Sequence, residues 1–244
     1  MLELNNLHPE FGVEILGIDL SMALEPNDFG QIELALERSS LVLFRNQVFD
    51  DDSQVAFSRR FGELEYDHVA YGRERKIRYI GYIGNVDEHG KQRGASHEQV
   101  VFSTGNEMWH SDSSFRPVPT RFSISYAYEV TLDGGELEFV STRSAYARLA
   151  DETKEKIENL VAIHDYVYSR SKVGPNAVTP SHAASLPPVP QRLVRQNPVT
   201  GEKNYYVGSH ARSIENWRDE DARTLLDDLT AQATRPEDIC QHRW

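Results

Sequence analysis

In the stretch Trp109-His110-Ser111-Asp112 an imidazole and a carboxylate stand two residues apart, followed by Ser113, Ser114 and Phe115. On an extended chain, side chains two apart leave the same face with Cα atoms about 6.5 Å apart, close enough to grip one ion. A neutral imidazole, a carboxylate and a second histidine from elsewhere make the 2-His-1-carboxylate facial triad, which leaves the far side of the metal open to a co-substrate and dioxygen. The same residues would also serve as a solvated polar turn with a capping aspartate. A histidine two before an aspartate does not by itself separate the two readings.

The elements that must position this pair can be read from periodicity. Phe29, Ile32 and Leu36 fall at helical spacing, and Leu41-Val42-Leu43-Phe44 then reads as a buried strand. Asp50 to Asp52 suit the positive N-terminus of a second helix, with Phe57 and Phe61 one turn apart and Gly62 as its stop. Residues 63 to 105 lack a clear period and suggest long loops or short strands over a site. From Phe122 to Tyr128 apolar and small residues alternate, the mark of a half-buried strand, and Asp133-Gly134-Gly135 is hairpin chemistry leading into a second strand, Glu136 to Val140. Ile157, Leu160, Val161 and His164 share one helical face, and Ser169 to Pro190, with its several prolines, reads as a long lid. A further hairpin is expected from Leu193-Val194-Arg195 to Tyr205-Tyr206-Val207, turning at Pro198 to Gly201. A surface helix follows Asp219, with Ala222, Leu225, Leu226 and Leu229 as its inner face. With no internal repeat, the chain reads as a single domain over residues 1–244, α+β in class, with a jelly-roll core carrying flanking helices.

Composition narrows the function. With 38 acidic against 26 basic residues the formal charge is −12, which repels phosphate backbones and anionic lipid, so neither nucleic acid nor membrane is an expected partner. Cys240 is the single cysteine, which leaves no disulfide framework and no thiolate cluster and fits a reducing cytoplasm. The N-terminal MLELNNLHPEF has neither the basic start nor the apolar stretch of a signal peptide, and no run approaches the ~20 apolar residues of a membrane span. A small molecule is the expected partner, and an acidic surface does not exclude an anionic one, because a metal and local arginines can reverse the field inside a pocket.

The stretch NEMWHSDSSFRPVPTRFSISYAYEVTLDGGELEFVSTRSAYARL, Asn106 to Leu149, resembles the taurine dioxygenase/2,4-D dioxygenase family of iron(II), 2-oxoglutarate-dependent oxygenases. The likeness extends to SSLVLFRNQVF, QVAFSRRFGELE, LVRQNPVTGEKNYYVGSHARSIE and QATRPEDICQHRW, and its aryloxyalkanoate-degrading branch looks nearest on WHSDSSF and VGSHA. It implies a double-stranded β-helix (cupin-like jelly-roll) fold with Fe(II) held by His110 and Asp112, 2-oxoglutarate as co-substrate, and O₂ oxidising a small organic acid as succinate and CO₂ are released. By the same resemblance the Ser113 backbone N–H would meet 2-oxoglutarate. His68, Tyr71, Asn106 and His210 would contact substrate. Leu137 stands where relatives usually place a threonine that binds the co-substrate carboxylate.

Relatives continue past the match to Arg243-Trp244 into a strand carrying the distal metal histidine and an arginine that forks onto 2-oxoglutarate. The resemblance therefore implies a truncated chain with its third ligand absent, a core incomplete at the C-terminal side, and unpaired strand edges that would favour a homo-oligomer. Spacing alone would offer His210 as ligand and Arg223 as clamp. Arg223 falls inside the helix of Ala222 and Leu226, where it is expected to face solvent, and His242 matches no ligand position. Two rivals stay open. One is a non-catalytic cupin-like binding protein or inactive fragment, and the other a zinc hydrolase or isomerase using the pair plus His210.

Overall fold

The computed structural model describes residues 2–66, 79–87, 89–174 and 177–244. Along the chain run β1 (Glu3–Asn6), β2 (Val13–Leu16), α1 (Pro26–Ser39), β3 (Val42–Leu43), α2 (Asp51–Arg59) and α3 (Glu98–Ser103). Then come β4 (Leu137–Phe139), α4 (Thr142–Arg148), α5 (Asp151–Ile157), β5 (Val161–His164), α6 (Tyr166–Ser171) and α7 (Pro180–Ser185). The order closes with β6 (Val189–Arg192), β7 (Val194–Gln196), β8 (Lys203–Tyr205), β9 (Ala211–Ile214), α8 (Asp219–Ala233) and β10 (Cys240–His242). No helix among the described residues is long and apolar enough to cross a membrane.

Local chemistry sets the first layer. Pro26 suits the first turn of α1, where its missing N–H would be unbonded anyway, and Ser40 ends that helix at φ 64 with its N–H on Leu36 O. Asp50 caps α2 by accepting the Ser53 N–H at 2.8 Å. The two helices pack on the sheet β1-β2-β3 through Phe29, Ile32 and Phe57, and Phe57 meets Phe29 and Phe61 edge-on. A second core lies between the sheet β6-β5-β9, the hairpin β7-β8 and the helices α4 and α8. Leu193, Tyr205, Leu226 and Leu229 are fully buried there, and the Tyr205 hydroxyl donates to Leu229 O at 2.9 Å.

The α+β class and the helices α1, α2 and α8 match the periodicity, as does the β7-β8 hairpin, which pairs Val194 with Tyr205. Three expectations are overturned. They concern residues 122–128, the Gly134-Gly135 hairpin and the segment Ile157 to His164; the strands among the described residues fall into four sheets of two or three and close no barrel, where an incomplete core was expected. Residues 122–126 keep their alternating burial, Tyr128 is exposed, and the stretch joins no ladder. Side chains take the place of a neighbouring strand, with Gln54 donating to Ile124 O at 3.2 Å and the Tyr126 hydroxyl to Gln47 O at 3.2 Å. Gly134 and Gly135 do turn the chain, at φ 78 and 77, yet β4 pairs with β10 and not with 122–128. Leu132 in the preceding loop is 95% exposed, so that loop projects into solvent and does not fold the strand back on its predecessor.

The proposed helical face Ile157 to His164 is instead the end of α5, a turn closed by the Leu160 N–H on Ile157 O, and β5. β-branched Val161 and Ile163 alternate with buried Ala162 and His164, and period two suits a strand in a sheet. The expected lid is built from α6, α7 and β6 among its described residues. Pro190 is tolerated in β6 because β6 is an edge strand.

Candidate active site

His110 lies on an irregular stretch that joins no ladder, and Asp112 opens a turn that runs through Ser113, whose φ is 52 and whose carbonyl accepts the Arg116 N–H. Their side chains converge, His110 Nε2 standing 3.3 Å from Asp112 Oδ1. His110 Nδ1 lies 2.6 Å from Met108 O. A carbonyl can only accept, so Nδ1 carries a proton; Nε2 faces the carboxylate, donating to it when the ring is protonated and offering a lone pair when the ring is neutral. The hydrogen bond to Asp112 raises the His110 pKa against the opposing effect of burial, and the same contact lowers that of Asp112. The imidazole is a quarter exposed and the carboxylate more than half, so the pair opens to solvent on one side.

A close backbone approach holds this segment in place. The Ser209 N–H donates to Trp109 O at 2.8 Å, and Gly208 makes that possible. At φ 122, a Cβ on Gly208 would stand 2.9 Å from Trp109 O and 3.0 Å from the His110 Cα. Beside the pair is a cleft of about 160 Å³ lined by Trp109, His110, Glu138, Phe139 and Gly208 among others. Leu137, one residue before that lining on β4, is partly exposed and pairs by its backbone with His242.

On the other side stands an aromatic wall. His210 is 4% exposed, its ring 6.2 Å from that of His110, 4.8 Å from Phe115 and stacked on Tyr166 at 6.0 Å. Burial pushes its pKa down to about 3, helped by the nearby cations His110 and Arg170, so the ring is neutral at ordinary pH. Asn106 is held by Arg170, whose Nη2 donates to Asn106 Oδ1 at 2.8 Å. Ser113 donates its hydroxyl to Glu65, which also accepts from Thr120. His68 and Tyr71 lie outside the described residues.

Two donors about 2.1 Å from one ion, at right angles, sit about 3.0 Å apart, so the His110–Asp112 separation fits one edge of a coordination sphere. Among the described residues no group of three His, Cys, Asp or Glu is arranged to hold an ion, and His210 does not complete the pair. Arg223 is corrected: it is only partly exposed, bridging α8 to β9 by donating to Ala211 O at 2.7 Å while paired with Asp227.

Residues 3–244 match the family model described as "Taurine catabolism dioxygenase TauD, TfdA family". The chain belongs to the TauD/TfdA family. An alpha-ketoglutarate-dependent 2,4-dichlorophenoxyacetate dioxygenase of Burkholderia sp. (strain RASC) is 33% identical over 241 residues, 98% of this chain and 81% of that protein. An alpha-ketoglutarate-dependent sulfate ester dioxygenase of Pseudomonas putida is 27% identical over 254 residues, 100% of this chain and 79% of the relative. The crystal structure of AAD-2 in complex with Mn(II) and N-oxalylglycine superposes with a TM-score of 0.90 at 35% identity, covering all of this chain and 84% of that one. As a member, this chain is a 2-oxoglutarate-dependent dioxygenase.

Several residues that shape the dioxygenase site carried no sequence signal. Gly208 and Arg170 act by approaching segments remote in sequence, and Glu65 reaches Ser113 across 48 positions. The glycine before Ser209-His210 was the one available hint, since a glycine next to a candidate site residue marks a tight approach.

Proposed function

We propose that this dioxygenase oxidises a small organic acid, with Fe(II) held by His110 and Asp112, 2-oxoglutarate as co-substrate, and succinate and CO₂ released as O₂ is consumed. The observation that carries the reading is the convergence of His110 Nε2 and Asp112 Oδ1 at 3.3 Å, with Nδ1 fixed on Met108 O. Pinning Nδ1–H in this way sets the tautomer that a metal-binding imidazole needs. Bound iron would couple dioxygen activation to decarboxylation of the co-substrate. The Ser113 N–H would meet 2-oxoglutarate, while Leu137 offers no side-chain donor there. His210, neutral and walled by Phe115 and Tyr166, would pack against the organic part of the substrate, with His68, Tyr71 and Asn106 as further contacts. Relatives that act on a 2,4-dichlorophenoxyacetate and a sulfate ester support an acid as the substrate.

Anaerobic titration with Fe(II) and 2-oxoglutarate tests this. A visible charge-transfer band is expected for the wild-type chain and is lost in His110→Ala and Asp112→Ala. A folded wild-type chain that develops no band overturns the reading.

A further inference from the structure

Arg170 is 8% exposed, yet no carboxylate pairs with it among the described residues. The nearest acid in its own segment, Asp165, is engaged by Arg212 at 3.1 Å, and Asp112 by His110. The guanidinium is instead held by neutral groups. Nη1 donates to Phe102 O at 3.1 Å, Nη2 donates to Asn106 Oδ1, and the plane lies 4.6 Å from the Phe102 ring centroid and 5.3 Å from that of Tyr166. Nε has no hydrogen-bond partner. A Cβ at Gly105 would collide with the guanidinium, so the chain has no side chain at that position where the cation sits.

Buried cations are ordinarily paired, because burying an isolated charge is costly and removing one partner of a pair costs more still. An unpaired one beside a candidate site points to a ligand that supplies the opposite charge. Asn106 is the link. With its oxygen taken by Arg170, the amide can offer only its NH₂ group, which makes no hydrogen bond among the described residues. Two donors polarised by a guanidinium behind them are suited to a carboxylate, since charge-assisted bonds are about twice as strong as neutral ones.

We propose that Arg170 is the positioning residue that selects an anionic substrate: it orients Asn106 as a pure donor and leaves a positive charge that the carboxylate of an aromatic acid balances. The aromatic part would lie along Phe102, Phe115 and Tyr166. This rests on the organic-acid reading above and assigns the group that reads the acid.

Calorimetric titration of the full chain with phenoxyacetate and with its neutral isostere phenoxyacetamide tests it. The wild type should bind the acid at least tenfold more tightly than the amide. Arg170→Gln should bring that ratio to within about twofold of one with amide affinity unchanged, and Arg170→Lys should restore most of the ratio. An equal loss for both ligands marks a merely structural arginine and overturns the proposal, as does an unchanged ratio. Should Arg170→Gln fail to fold, Asn106→Asp decides. It places a carboxylate on the guanidinium, so it should melt higher than the wild type and lose the acid preference, and a retained preference overturns the proposal. A wild type that binds neither ligand sinks the aromatic-acid reading itself. A wild type that prefers the acid with the preference intact in Arg170→Gln sinks only the role of Arg170.

Discussion

The core beneath α8 and the wall beside His110 are both buried, and they treat polar atoms in opposite ways. Under α8 polar side chains that reach the interior are engaged, as where the Tyr205 hydroxyl bonds Leu229 O and Arg223 bonds Ala211 O and pairs with Asp227. Beside His110 the interior holds a guanidinium with an unbonded Nε, and the His210 Nδ1 is likewise without a partner. Neighbouring His164 is fully buried and stacked on Tyr206 at 5.1 Å. A satisfied interior is what stability selects, whereas unsatisfied polar groups are tolerated where something else is to be bound. The first region holds the fold together, and the second gives up stability to leave groups available.

Three perturbations should separate the regions. Leu226→Ala removes a fully buried side chain from the α8 core and should cost about 2–5 kcal/mol in urea unfolding, while Fe(II) affinity of the folded fraction is unchanged. A parallel loss of metal affinity would mean that the regions are one cooperative unit. The next effect is in pH. Burial lowers the His164 pKa to about 4, so the unfolded chain takes up a proton near pH 6.5 that the folded chain refuses. Proton uptake then favours unfolding: the full contribution of this group is present above about pH 6.5, and stability declines as pH falls toward 4, by roughly 3 kcal/mol in all. His164→Gln should flatten that part of the stability profile, and an unaltered slope would show that other groups set it. The smallest effect concerns Gly208→Ala. Its Cβ would press on Trp109 O and the His110 Cα, so Mn(II) or Fe(II) affinity should fall about tenfold, or about 1.4 kcal/mol, with a smaller change in melting temperature. Equal metal affinity in the variant would show that the segment shifts freely.

Much of the scaffold was legible because local chemistry and packing agree there. Pro26 and Asp50 mark helix starts, and Ala222, Leu225, Leu226 and Leu229 repeat at the helical period that buries them together. The errors arose where one pattern suits two structures. The Ile157 to His164 spacing suits a helix face, but β-branched residues next to an edge-and-centre sheet made its second half a strand. The alternation placed the side chains of 122–126 correctly, though not that of Tyr128, without telling whether a neighbour would hydrogen-bond the backbone.

The site divides the same way. Sequence alone determined that an imidazole and a carboxylate stand two residues apart, near enough along the chain for one ion to reach both whether the backbone is extended or turned. Only tertiary structure decided that Met108 O holds the His110 Nδ1 proton, that Gly208 lets the turn at Ser209 close on Trp109, and that Arg170 reaches Asn106 with no acid paired to it among the described residues. Those contacts join residues up to about a hundred positions apart, and nothing in the order of residues along a chain records which distant surfaces will meet when the apolar ones are buried.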